Sequence, residues 1–140
     1  MVEVKNTQNV DLEVGDTFTG KRAGVTFEEV CDFGNLLGFN GKIHTDIEYA
    51  KTTPFGGVIV QGLLILAPIE SMARRIFGEE NWLHSGRLES KYVGMTGLGE
   101  EISYRATVEK IEAGEISLSF DCKTQSGKTV IVGQAILDTD

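Results

Sequence analysis

Two cysteines, two prolines and two histidines are all that the 140-residue chain contains of those residue types, and the scarcity is informative. Cys31 and Cys122 lie in apolar surroundings with no CxxC or histidine spacing near them. They read as two small hydrophobic side chains in a reducing cytosol, not as a disulfide or metal ligands. No GxSxG elbow, phosphate-binding GxxxxGK[ST] loop, GxGxxG turn or HExxH pair occurs. The longest apolar run, around Val58–Ile69, is broken by Gln61 and is too short to cross a bilayer. The first residues have mixed charge and no apolar stretch, so no secretory signal is read there. Basic residues are in the minority, 13 against 21 acidic ones, for a net charge of −8. That balance argues against nucleic acid or an anionic membrane as the main partner. The expectation is a cytoplasmic protein that uses neither a metal nor a cofactor.

What remains has the composition of an ordinary globular protein, 41% hydrophobic and 24% charged. Its length suits one domain over residues 1–140. Residues 1–12 read as a loosely held lead-in, Val14-Gly15-Asp16 as a turn, and Phe18–Val25 as a strand broken at Gly20. Thr26 with Glu29 forms a capping box, followed by Phe27, Val30, Cys31, Gly34 and Leu37 at helical spacing and by Gly38 as a stop. An irregular stretch, 39–43, leads to His44. Thr45 with Glu48 then predicts a second capping box and a short helix through Ala50 that Pro54 closes.

The chain is organised around Thr52–Gly78. From Gly62 onward Leu63, Leu66, Ala67, Ile69, Met72, Ala73 and Ile76 recur at three- and four-residue steps, which predicts a buried helix. Arg74, Arg75 and Gly78 suit its C-terminus. Pro68 leaves two options, a bend at that point or a helix that starts near it. Everything later reads as strand. Arg87–Val93 is followed by Ile102, Tyr104, Ala106 and Val108 alternating with polar residues, then Ile116, Leu118, Phe120 and Cys122 doing the same, then Val130–Leu137. Ala113-Gly114 and Ser126-Gly127 are hairpin signals. Strands with one apolar and one polar face make an antiparallel sheet wet on one side. Wrapping it around the long helix gives an α+β layer fold.

Of the two histidines, His84 sits beside Trp82 in an expected turn and reads as a surface or packing residue. His44 lies in an irregular, glycine-bearing segment between two helices, the kind of place where functional side chains are carried. The run from His44 to Leu64, HTDIEYAKTTPFGGVIVQGLL, closely resembles the signature of the MaoC-like hydratase/dehydratase family, the (R)-specific enoyl-CoA hydratases. Leu12–Phe18 resembles that family's opening L-x-V-G-D-x-F, and Val25–Gly38 its next helix. The resemblance implies the hot-dog fold, an antiparallel sheet wrapped around one long helix.

It also implies a chemistry, residue by residue. The family motif is roughly G-D-x-N-P-x-H, whose Asp and His hold a water and move protons as it adds across the α,β-double bond of an acyl thioester. His44 falls on the motif His and Gly38 on its Gly, but Phe39 stands at the Asp and Gly41-Lys42 at the Asn-Pro pair. Gly62 matches the glycine whose backbone N–H binds the thioester oxygen, and Gln61 stands where the family usually has a second His. Phe39 can neither give nor take a proton, and a positioned acid or base typically contributes about a hundred- to ten-thousand-fold. Glu70, two turns after Gly62, is a candidate replacement acid; alternatively it faces water or pairs with Arg74 at i+4. Asn40 could hold a water without transferring its proton. Asp32 and Asp46 read as a solvated helix position and a cap.

Three functions follow from the resemblance. The first is a hydratase or dehydratase acting on an acyl-CoA or acyl-carrier thioester, with His44 as base. The second is a non-catalytic hot-dog subunit that binds acyl thioesters or stabilises an active paralogue. The third is thioester hydrolysis on the same frame. A single small curved sheet leaves an edge and apolar surface uncovered, so a homodimer or a heterodimer with a paralogue is expected.

Overall fold

A computed structural model describes residues 11–140; most of the expected lead-in, residues 1–10, lies outside the described residues. In chain order the elements are β1 (Thr17–Arg22), α1 (Phe27–Leu37), α2 (Lys42–Thr45), α3 (Ile47–Lys51), α4 (Gly62–Phe77), α5 (Glu79–Ser85), β2 (Gly86–Tyr92), β3 (Ile102–Glu112), β4 (Glu115–Thr124) and β5 (Thr129–Asp138). The strands form one antiparallel sheet in the order β1-β3-β4-β5-β2.

The register shows how alternation in the sequence becomes an apolar face. Tyr104 pairs with Cys122, Cys122 with Ile131, and Ile131 with Tyr92. Directly paired residues share a face, so a row runs from Gly20 on β1, opposite Tyr104, across to Tyr92 on β2. Ala106, Phe120 and Gly133 make the next row, and Val108, Leu118 and Ala135 the one after. Gly133 is required there. A Cβ at that position would lie 2.0 Å from the Glu89 carbonyl oxygen and 2.7 Å from the Phe120 ring.

Helix α4 covers this face with Ile65, Leu66, Ile69, Met72, Ala73, Ile76 and Phe77 buried. It runs unbroken from Gly62, so the option of a later start at Pro68 does not hold. Pro68 takes one amide donor out of the helix. At the neighbouring turn the Tyr104 hydroxyl donates to the Ile65 carbonyl at 2.7 Å, and this joins helix to sheet. Burial raises the Tyr104 phenol well above its ordinary range, so the group stays a donor. Cys122 lies in the same row, its thiol pushed up to about 12 by burial and then by the Asp121 charge.

The Thr26 hydroxyl accepts from the Glu29 amide, and Gly38 ends α1 at φ 79°, as the capping pattern predicts. The first strand is shorter than expected, ending at Arg22, and Gly20 does not break it. The second N-cap is Asp46, not Thr45: Asp46 Oδ1 accepts from the Tyr49 amide, while the Thr45 hydroxyl donates back to the Asn40 and Gly41 carbonyls. The stretch holding His84 is helix α5, where a turn was expected.

Replacing Tyr104 by Phe should lower stability by about 1 kcal/mol, since it removes a buried hydrogen bond between helix and sheet. Urea unfolding should show a lower midpoint with an unchanged slope. An unshifted midpoint would mean that the hydroxyl adds nothing to the junction of α4 with the sheet.

Candidate active site

Between the α1–α2 connection and the start of α4 lies an open cleft of about 460 Å³. Its walls include Phe39, Ile43 and His44 on one side, Ile59–Leu63 at the base, and Tyr92, Gly94 and Met95 opposite. Apart from His44 and Tyr92 no side chain on these walls titrates, and none is a carboxylate.

His44 owes its position to the single turn α2. Its amide donates to the Gly41 carbonyl at 2.9 Å, and its ring Nδ1 lies 2.7 Å from the Ile59 carbonyl oxygen. A carbonyl can only accept, so this contact places the proton of the neutral imidazole on Nδ1 and leaves Nε2 with its lone pair. The acceptor is itself held. The Ile59 amide donates to the Ile43 carbonyl at 3.3 Å, Ile59 bridges Gly97, and the Val60 amide donates to Thr96 at 2.8 Å. The ring is therefore held through a backbone segment that is itself hydrogen-bonded.

Gln61 is the N-cap residue of α4, yet it does not cap the helix. Its side chain, only 4% exposed, turns away to donate from Nε2 to the Val30 carbonyl at 2.8 Å and the Phe39 carbonyl at 3.1 Å. Two acceptors at one end settle the orientation of the amide, and Oε1 is left buried without a partner. Gly34 makes this reach possible, because a Cβ there would meet the Phe39 carbonyl oxygen at 2.8 Å. Leu64 and Ile65 are the first helix amides to pair, both with the Gln61 carbonyl. The Gly62 amide therefore stays available at the positive end of the helix dipole, bordering the cleft. Gly62 lets the Tyr92 ring approach the helix start, since a Cβ would lie 2.5 Å from Tyr92 Cε1.

Phe39, Gln61, Gly62 and His44 are thus brought together around one cleft. Two other residues singled out from the sequence are not. Glu70 Oε1 lies 3.1 Å from Arg74 Nε and accepts from Trp82 Nε1 at 3.3 Å, away from the cleft walls. The i+4 pairing explains this carboxylate. Asn40 is exposed and off the wall, its carbonyl taken by Thr45. Phe39 is 44% exposed and packs on Phe33, with ring centroids 6.2 Å apart. His84 is exposed on α5. Tyr92 escaped sequence reading because only the β2–β5 register shows that it faces inward. Among the described residues, no helix is long and apolar enough to cross a membrane.

Residues 9–129 match the MaoC like domain family. No curated protein matches the chain in sequence. Solved structures do resemble it. An (R)-hydratase from A. caviae involved in PHA biosynthesis superposes with a TM-score of 0.78 at 20% identity, covering 92% of this chain and 98% of that one. R-hydratase PhaJ1 from Pseudomonas aeruginosa does so with 0.78 at 21% identity, over 91% and 82%. The ChsH1-ChsH2 complex from Mycobacterium tuberculosis gives 0.74 at 12% identity, over 91% and 98%. The sheet and its central helix are the hot-dog fold that these structures share.

Changing Gln61 to Leu should destabilise the protein by about 1–3 kcal/mol, because two buried carbonyls lose their donor while one unpaired oxygen is removed. Amide exchange should speed up in residues 30–44. Protection unchanged in that segment would show that the carboxamide is not what holds the α1–α2 connection.

Proposed function

The chain belongs to the MaoC like domain family, and we propose that it binds an acyl thioester in the cleft and adds or removes water at the α,β-double bond. The observation that carries this reading is the His44–Ile59 contact, which leaves Nε2 as the acceptor nitrogen of a ring that lines the same cleft as Gly62. In this reading the thioester oxygen accepts from the Gly62 N–H. As negative charge moves onto that oxygen, a fixed donor at a helix N-terminus is worth on the order of a hundredfold or more in rate.

With Phe39 where the family has its acid, a single group must handle both protons. His44 Nε2 takes a proton from water as its oxygen bonds to Cβ, and an enolate forms at the thioester. The imidazolium then returns the proton to Cα, and the carbonyl is restored. Dehydration runs the same steps backwards. The apolar wall that Phe39 contributes suits the acyl chain, and the absence of a competing charge raises the effect of each donor. Glu70 has no part in this scheme, held as it is by Arg74 and Trp82.

A second reading has its own support. Phe39, with exposed Leu36 and Leu37 nearby in sequence, gives this region an uncovered apolar surface, and one of the similar structures is a complex of ChsH1 with ChsH2. On this reading the chain is a thioester-binding subunit that completes a paralogue. Either way a dimer, as homodimer or heterodimer, is proposed, with residues 1–140 acting as one domain in the cytoplasm. Thioester hydrolysis ranks third.

Purified protein should consume the enoyl absorbance of short and medium trans-2-enoyl-CoA esters in a saturable way. His44→Ala should lower that rate by about a hundred- to ten-thousand-fold, while Glu70→Gln should leave it near the wild-type value. No turnover by folded wild-type protein would favour the subunit reading. A Glu70→Gln rate as low as that of His44→Ala would return Glu70 to the chemistry.

A further inference from the structure

Tyr92 carries a hydroxyl that the fold does not use. It ends β2, and its register partner Ile131 puts it on the inward face of the sheet, where that face meets the first turn of α4. Its ring lies flat against Gly62: the position of a Gly62 Cβ would be 2.5 Å from Cε1, 2.8 Å from Cδ1 and 3.1 Å from Cζ. Cζ bears the hydroxyl, so the oxygen sits one bond further on, beside the residue whose amide opens the helix. The side chain lines the cleft and is half exposed. Among the described residues the hydroxyl makes no hydrogen bond, unlike Tyr104, whose buried hydroxyl holds Ile65. A phenylalanine would pack on Gly62 equally well.

We infer that the Tyr92 hydroxyl is a second donor to the thioester oxygen, working with the Gly62 amide. The inference rests on the thioester-binding reading of this cleft and deepens it. One backbone N–H satisfies one lone pair of a carbonyl oxygen, and the oxygen of an enolate demands more. A phenol beside the helix start can supply the other bond, and unlike a carboxylate it brings no negative charge to repel the developing one. The cleft has no other side chain free to do so. Gln61 has its amide N–H groups committed to Val30 and Phe39, and His44 has its Nδ1 committed to Ile59. This arrangement also accounts for a site that works without the usual acid. The charge is met at the oxygen by two fixed donors, so a single imidazole need only shuttle the proton.

The test should not depend on turnover. Butanoyl-CoA isotopically labelled at its carbonyl carbon has no double bond to hydrate, and it reports hydrogen bonding through the frequency of its C=O stretch. Bound to wild-type protein, the labelled carbonyl should absorb at lower frequency than in water. In Tyr92→Phe, which removes the oxygen and keeps the ring on Gly62, a clear part of that shift should be lost at equal thermal stability. An equal shift in both proteins would overturn the role of Tyr92 and leave thioester binding standing. No saturable binding by the wild type would overturn both.

Discussion

The carboxamide of Gln61 is the tie on which the rest of the cleft depends. From the start of the central helix it reaches a carbonyl of α1 and one of the connection that follows α1. It thereby sets the distance between the helix terminus and the segment that carries His44. The cost is visible in its own oxygen, buried with no partner, which by the usual penalty opposes folding by about 1–3 kcal/mol. The same geometry leaves the helix without a side-chain cap. A serine or aspartate at that position would occupy the amides of the first turn. Glutamine, turned the other way, holds neighbouring chain segments instead.

Around that tie the cleft is a mostly apolar space with few polar groups. Each polar group is fixed by backbone: His44 by Ile59, Gly62 by the helix, and Gln61 by two carbonyls. Fixed dipoles act on a developing charge without having to reorient first, and low polarity around them raises their effect. Phe39 fits this pattern. Its phenyl ring rests on Phe33.

How much of this could be read from residues alone varied with the range of the interaction. Features fixed within a few residues were legible, such as the Thr26–Glu29 cap, the stop at Gly38, the alternation of Ile102 to Val108, and the helical spacing after Gly62. Asp46 took the cap from Thr45 because Thr45 was already engaged with the turn behind it. Glu70 looked anomalous in an apolar helix because its partners, Arg74 and the indole of Trp82, come from the next turn and the next helix. Tyr92 was invisible for a related reason. In sequence it is one residue of Lys91-Tyr92-Val93, and only a register set some 40 residues later turns it toward the helix.

That last pairing has a bearing on how the protein comes to be assembled. Strand β2 is an edge whose one neighbour in the sheet is β5, so the pairing that turns Tyr92 toward Gly62 forms only when residues 129–138 have joined. The His44 side needs closures of similar length, since Ile59 bridges Gly97 and the Val60 amide donates to Thr96. Each wall waits for a contact between distant parts of the chain, the kind that is slow to form because its entropy must be surrendered first. The completed cleft is in effect a certificate that the sheet has closed.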